Sequence, residues 1–148
     1  MIAENVQAVA LFRDLGYAHV RDVAVWSLGG ADGAAAECPP EDAHAWIREH
    51  RTEREPWQRA DASVAQQGDV RGLAVDGAAA LVRVVGGRVS VLQLAGASDP
   101  LRELLAGARS LGDPLSMLNL PDGHAAATAL DALGGRVDVR QHELVLEL

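Results

Sequence analysis

The sequence is poor in the residues that usually announce a special chemistry. Cys38 is its one cysteine, so no internal disulfide can form and nothing calls for an oxidising compartment. Lysine is absent, and the thirteen basic residues, all arginine, face 21 acidic ones for a formal charge of −8. That balance excludes the concentrated positive face that a nucleic-acid backbone or an anionic membrane surface requires. Aromatic residues are scarce, three Trp with one Tyr and one Phe, so the core must be built from Val, Leu and Ala. No basic residues cluster around Trp26, Trp46 or Trp57, which therefore read as core anchors and not as a base-stacking platform. No apolar run is long enough for a membrane span, and Glu4 stands where a secretory signal would carry basic residues. A cytoplasmic protein with neither nucleic acid nor membrane as partner is the expectation.

What is present is a repeat. Asn5 to Tyr17 lies over Gly123 to Gly135 at a constant offset, with Ala8 on Ala126, Phe12 on Leu130, Leu15 on Leu133 and Gly16 on Gly134. In each copy apolar residues recur at helical spacing, and a glycine follows where a left-handed residue would end the helix. A strand follows each helix, the first running to Leu28 and the second through Leu144 to Leu146. The chain thus begins and ends with the same helix-strand unit. Residues 1–28 read as the tail of a sister repeat, residues 29–36, rich in Gly and Ala, as a linker, and residues 37–148 as a domain.

Within that domain, Pro39-Pro40-Glu41-Asp42 opens a helix with Ala43, Trp46 and Ile47 inward. Glu55-Pro56-Trp57 opens a second helix, expected to run to Gly68 with Trp57, Ala60 and Val64 along one side. From Arg71 the apolar period changes to two, and the turn signals Asp76-Gly77 and Gly86-Gly87 divide the segment into a three-stranded antiparallel meander. Asp99 as N-cap and Pro100 behind it open a helix that presents Leu101, Leu104, Leu105 and Ala108 inward and stops at Gly112. A strand from Leu115 to Leu120 should pair in parallel with the strand ending at Leu94 through a right-handed crossover. In the last strand Val137 and Val139 differ in parity from Leu144, Leu146 and Leu148, so a bulge is expected near Arg140 to Glu143.

The order meander, helix, strand, helix, strand resembles the GNAT acyltransferase superfamily. Asn5-x-x-Ala8-x-x-Leu11-Phe12-x-x-x-Gly16-Tyr17 is similar to a recurrent segment of that family, as is Leu133-Gly134 followed by Arg140-Gln141-x-Glu143-Leu144. The resemblance implies an α/β fold with a mixed sheet, an antiparallel meander, one parallel crossover and flanking helices. It also implies that the chain is the back half of a tandem protein. Family members bind the pyrophosphate of acetyl-CoA through a Gln/Arg-x-x-Gly-x-Gly/Ala loop, whose bare amides at a helix N-terminus hold a dianion. The equivalent stretch, Ala95 to Leu101, lacks that motif and carries Asp99 and Pro100. If the cofactor bound at all, Leu94, Gly96 and Asn119 would be the equivalent positions. The family's frequent general acid, a tyrosine, falls on Phe12 and Leu130, neither of which can donate a proton.

Other constellations read as structural. His44 and His50 lie six apart on one helix and so on different faces, unsuited to a shared metal. His142 and Glu143 are adjacent on a strand and point to opposite faces, and Cys38, beside two prolines, reads as an incidental linker thiol. No catalytic or metal-ligating residue is assigned, and no cofactor is expected. Three readings follow: a non-catalytic accessory repeat of a tandem GNAT protein, meeting a partner repeat or a second copy through its N-terminal helix; an acetyl-CoA-dependent N-acetyltransferase; and a small-ligand regulatory module.

Overall fold

The computed structural model describes residues 1–30, 33–34 and 36–148, so the expected linker lies partly outside the described residues. The chain forms α1 (Val6–Asp14), β1 (Ala18–Leu28), β2 (Glu37–Cys38), α2 (Pro40–His50), a 3-10 turn (Trp57–Arg59), α3 (Asp61–Ala65), β3 (Val70–Val75), β4 (Ala78–Val85), β5 (Arg88–Gly96), α4 (Ser98–Ala108), a second 3-10 turn (Arg109–Leu111), β6 (Leu115–Pro121), α5 (Ala125–Ala132) and β7 (Arg136–Val145). One seven-stranded sheet runs in the order β2-β3-β4-β5-β6-β1-β7. The meander and its two tight turns stand where the apolar alternation places them, and β5 pairs with β6 in parallel.

Alternation along β4 divides the core in two. Ala78, Ala80 and Val82 face a cluster with Leu101, Leu104 and Leu105 of α4, Leu115 and Met117 of β6, and Ala126, Ala129 and Leu130 of α5. Ala79 and Leu81 face the opposite layer, made with Ala43 and Ile47 of α2 and Val64 of α3. Burying a Leu or Ile side chain is worth roughly 1.5–3 kcal/mol, and the first cluster holds most of the large ones. Leu133 is half-buried against that cluster.

Strand β1 lies between β6 and β7, antiparallel to both. Its pairing with β7 is symmetric under the sequence repeat. Ala18↔Val145 has Ser27↔Arg136 as its mate, His19↔Leu144 has Trp26↔Val137, Arg21↔Glu143 has Val25↔Val139, and Asp22↔His142 has Ala24↔Arg140. Val23↔Gln141 is its own mate, so a local two-fold axis passes through that pair. The register slips at two places, passing over Val20 in β1 and Asp138 in β7, and these residues are also equivalents under the repeat.

Four expectations are corrected. The bulge expected at Arg140 to Glu143 is absent there, and the pairing slips at Val20 and Asp138 instead. Strand β7 is a sheet edge with no fully buried residue, so nothing forces its apolar residues onto one face. The helix expected from Glu55 to Gly68 is broken, because Ala60 is extended between the 3-10 turn and α3. Trp57 is consequently 73% exposed and anchors nothing. Cys38 lies in β2, paired with Gly72 of β3, where burial pushes its thiol pKa up.

Candidate functional site

Parallel strands that share only a short ladder must part, and the gap between their C-terminal ends is where an α/β sheet offers a site. Here β5 and β6 pair only from Val89↔Leu115 to Val91↔Met117. Beyond that point Gln93 and Asn119, both buried, stand on the two sides of the gap. Asn119 has a left-handed backbone, φ +52°, a conformation that asparagine tolerates better than most residues.

The 3-10 turn spans this gap. Gln93 Nε2 donates to the Arg59 carbonyl at 2.7 Å, and Arg59 Nη2 donates to the Asn119 carbonyl at 3.3 Å. Arg59 is 4% exposed, and its guanidinium is paired with Glu55 at 3.1 Å. Burial pushes the Glu55 carboxyl above its usual range despite that partner, and burial likewise pulls the Arg59 guanidinium down. Desolvation therefore outweighs attraction on both sides of the pair. Gln93 also donates to Asp61 at 2.9 Å, while Arg51 grips both Asp61 oxygens at 3.0 and 2.9 Å. Arg51 holds the Asp61 carboxyl well below the usual carboxylate range. This network draws on four segments separated along the chain, which is why the spacing of residues in the sequence does not announce it.

At the mouth of the gap, Gly96, Ala97, Gly123, His124 and Arg51 line a cavity of about 660 Å³. Gly96 has φ +144°, and a Cβ there would stand 2.7 Å from the Gly77 carbonyl, so only glycine fits. Helix α4 starts two residues earlier than expected. Ala97 is its N-cap, with no side-chain hydrogen bond, and Asp99 lies inside the first turn, solvent-exposed and 3.9 Å from Arg102. The expected Asp99 cap is thus corrected: the carboxylate adds negative charge to this turn without satisfying its amides. Pro100 still removes one amide donor. Leu94 is buried and paired with Ala80. Opposite, His124 Nδ1 accepts from the Ala126 amide at 3.0 Å as the cap of α5, and burial lowers its pKa.

A second cavity, of about 440 Å³, is lined by residues including Phe12, Tyr17, Val23, Trp57, Asn119 and Gln141. The Asn119 side-chain oxygen has no hydrogen-bond partner among the described residues. Phe12 packs edge-on against Tyr17 with centroids 5.0 Å apart.

No family model matches the chain, and no curated protein matches it. Solved structures do. A GCN5-related N-acetyltransferase from Sphaerobacter thermophilus superposes with TM-score 0.57 and 14% identity over 96% of this chain and 56% of that one. A putative acetyltransferase from Pyrococcus horikoshii gives TM-score 0.64 and 13% identity over 99% of this chain and 53% of that one. The chain has the GNAT fold. It spans a little over half the length of these two neighbours.

Of the two positions where the family resemblance would put a general acid, Leu130 is completely buried and Phe12 is half-buried; neither side chain carries a proton to donate. Glu143 and His142 point to opposite faces, as their adjacency on a strand dictates. Glu143 bonds Arg21 and Arg54, whereas His142 Nδ1 lies 2.6 Å from Asp22. His44 meets Asp61 at 3.1 Å, and His50 stacks on Trp46 with centroids 3.8 Å apart. One grouping escaped sequence reasoning: His19, Asp22 and His142, whose side-chain donor atoms all lie within 4.8 Å of one another. The sequence pattern alone does not bring them together; the strand pairing does. Antiparallel pairing of the repeated strands about their centre sets Asp22 opposite His142.

Proposed function

We propose that this chain is a non-catalytic accessory repeat of a tandem GNAT protein, packing on a partner repeat through α1. The observation that carries this reading is the Arg59–Glu55 pair seated where β5 and β6 part, with Arg59 bonded to both strands. The family resemblance puts the acetyl-CoA pyrophosphate on the loop between β5 and α4, beside this opening. Here Arg59 joins the two strands at the opening, and its guanidinium is already held by Glu55 and the Asn119 carbonyl. Supporting features are the missing pyrophosphate motif, the Asp99 carboxylate in the first turn of α4 and the absence of a tyrosine at Phe12 and Leu130. Helix α1 supports the second half of the proposal, because it buries no residue within this chain while Leu11 and Leu15 are 56% and 60% exposed.

Calorimetric titration of acetyl-CoA at low salt tests the reading. A lost charge-assisted hydrogen bond costs about 1.5–3 kcal/mol, so losing two or more moves a micromolar ligand to about millimolar. No saturable heat is expected below that range. Micromolar affinity, with the nucleotide located at Gly96 to Leu101, would sink the accessory reading and put acetyl-CoA-dependent N-acetyltransferase in its place. The small-ligand reading has one observation of its own, the unpartnered Asn119 oxygen on the second cavity. A thermal-shift screen of small amines and amides, with Asn119→Gly as control, tests it.

A further inference from the structure

We infer that His19, Asp22 and His142 form a binding site for a zinc-class divalent cation, which clamps the first strand of the chain to the last. Asp22 and His142 are direct cross-strand partners in β1 and β7, and His19 joins them because Val20 is passed over in the pairing. His19 Nε2 lies 2.8 Å and His142 Nδ1 2.6 Å from the same Asp22 oxygen, Oδ1. Two imidazoles and one carboxylate, all converging, are the donor set of a borderline cation such as Zn²⁺. Both imidazole nitrogens are within hydrogen-bond distance of Asp22 Oδ1. A tetrahedral ion with bonds of about 2.0–2.1 Å needs its donors about 3.3 Å apart. His19 and Asp22 are about half exposed and His142 is partly exposed, so small side-chain rotations reach that spacing without disturbing the core. Three protein ligands leave the remaining positions to water.

The strand pairing does not itself require these residues. Under the local two-fold their equivalents are Val137 for His19, Arg140 for Asp22 and Ala24 for His142. The symmetric half of the ladder is built with no ligand at any of the three positions. Nor does the core require them, since none of the three belongs to either apolar cluster. Arg140, the nearest cation on β7 on this face, is drawn toward Asp122 at 3.5 Å. The reading is independent of acetyl-CoA and of the accessory role.

The test is a zinc titration of the intact chain, by competition with a chromophoric chelator, repeated with Co²⁺ to read coordination number from its visible bands. One ion per chain is expected, at about micromolar affinity or somewhat weaker, given three ligands and an open position. His19→Ala and His142→Ala should each weaken binding about tenfold or more, while His44→Ala, His50→Ala and Cys38→Ser leave it unchanged. Asp22→Asn, which keeps the shape of the side chain, should weaken it as well and guards against loss of strand pairing. Saturating zinc should raise the melting temperature of the native chain and leave that of His19→Ala/His142→Ala unmoved. Absence of saturable binding below millimolar zinc, or affinity unchanged by the two histidine substitutions, would overturn the assignment.

Discussion

The two helix-strand units, α1–β1 and α5–β7, share a sequence pattern and meet across one symmetric ladder, yet they are buried in opposite ways. In the first, the strand is interior to the sheet and holds Val23, Ala24 and Leu28 in the core, while its helix has no fully buried residue. In the second, the strand is a half-exposed edge, while its helix buries Ala126, Ala129 and Leu130. A strand position and a helix position are thus separate decisions. The same pattern satisfies either one, and the neighbours determine which half is paid in burial.

The sharpest way to break the comparison is at the two-fold pair. Val23→Asp would place an unpaired carboxylate where Val23 is buried and should cost more than about 4 kcal/mol, whereas Gln141→Asp on the half-exposed edge should cost under about 1 kcal/mol. Equal losses in urea denaturation would mean that β1 and β7 are not differently placed. One step down are the helix anchors. Leu130→Ala removes a completely buried side chain and should cost about 2–5 kcal/mol, and Phe12→Ala, its half-buried equivalent, about 1 kcal/mol.

The helix caps differ in a way that acid exposes. α1 is capped by Asn5, whose Oδ1 accepts from the Ala8 amide at 3.1 Å, and α5 by His124, whose Nδ1 must be unprotonated to accept from Ala126. Burial lowers the His124 pKa in the folded chain, so the unfolded chain binds more protons as pH falls past about 6.5. The His124 contribution is complete above that value and is lost as pH drops through the lowered folded pKa. Its size is that of an N-cap, about 0.5–2 kcal/mol. Denaturation at pH 7.5 and pH 5.5 should show the loss, and His124→Asn, which gives α5 the cap type of α1, should remove the part due to this group. An unchanged pH response in that variant would show that His124 does not act through its cap.

How far the sequence could be read follows from the range of the interactions involved. The meander, its turns, α2 and both copies of the repeated helix are local patterns of apolar period, cap and glycine, and they stand where those patterns place them; α4 does so except at its cap. The interior position of β1 was not legible, because a constant offset says that two units are alike and not that they pair. Trp57 and the 55–68 segment misled for a related reason: helical spacing was present, but the Gln93 bond to the Arg59 carbonyl and the Arg59 bond to the Asn119 carbonyl set the chain differently. Those partners come from across the sheet, as do the contacts that gather His19, Asp22 and His142. Asp99 misled by two positions, since Ala97 and not Asp99 precedes the first turn of α4.

The smallest expected effect bears most directly on the bare helix. In the chain alone, Leu11→Ser removes an apolar group that is already more than half exposed, and surface substitutions of this kind change stability by under about 0.5 kcal/mol. Its equivalent in the second unit is the buried Ala129, so the repeat marks the Leu11 position as one that a helix of this type can cover. A partner repeat or a second copy seated on α1 would desolvate Leu11 and Leu15 together, and each buried aliphatic side chain would then contribute roughly 1.5–3 kcal/mol to association. Leu11→Ser/Leu15→Ser should therefore leave urea denaturation of the dilute chain almost unchanged while weakening its association. Sedimentation velocity over a wide concentration range, or titration with a partner repeat, reads that difference. A loss of several kcal/mol in the dilute chain would instead mean that α1 is already docked on its own sheet, and the contrast between the two units would disappear.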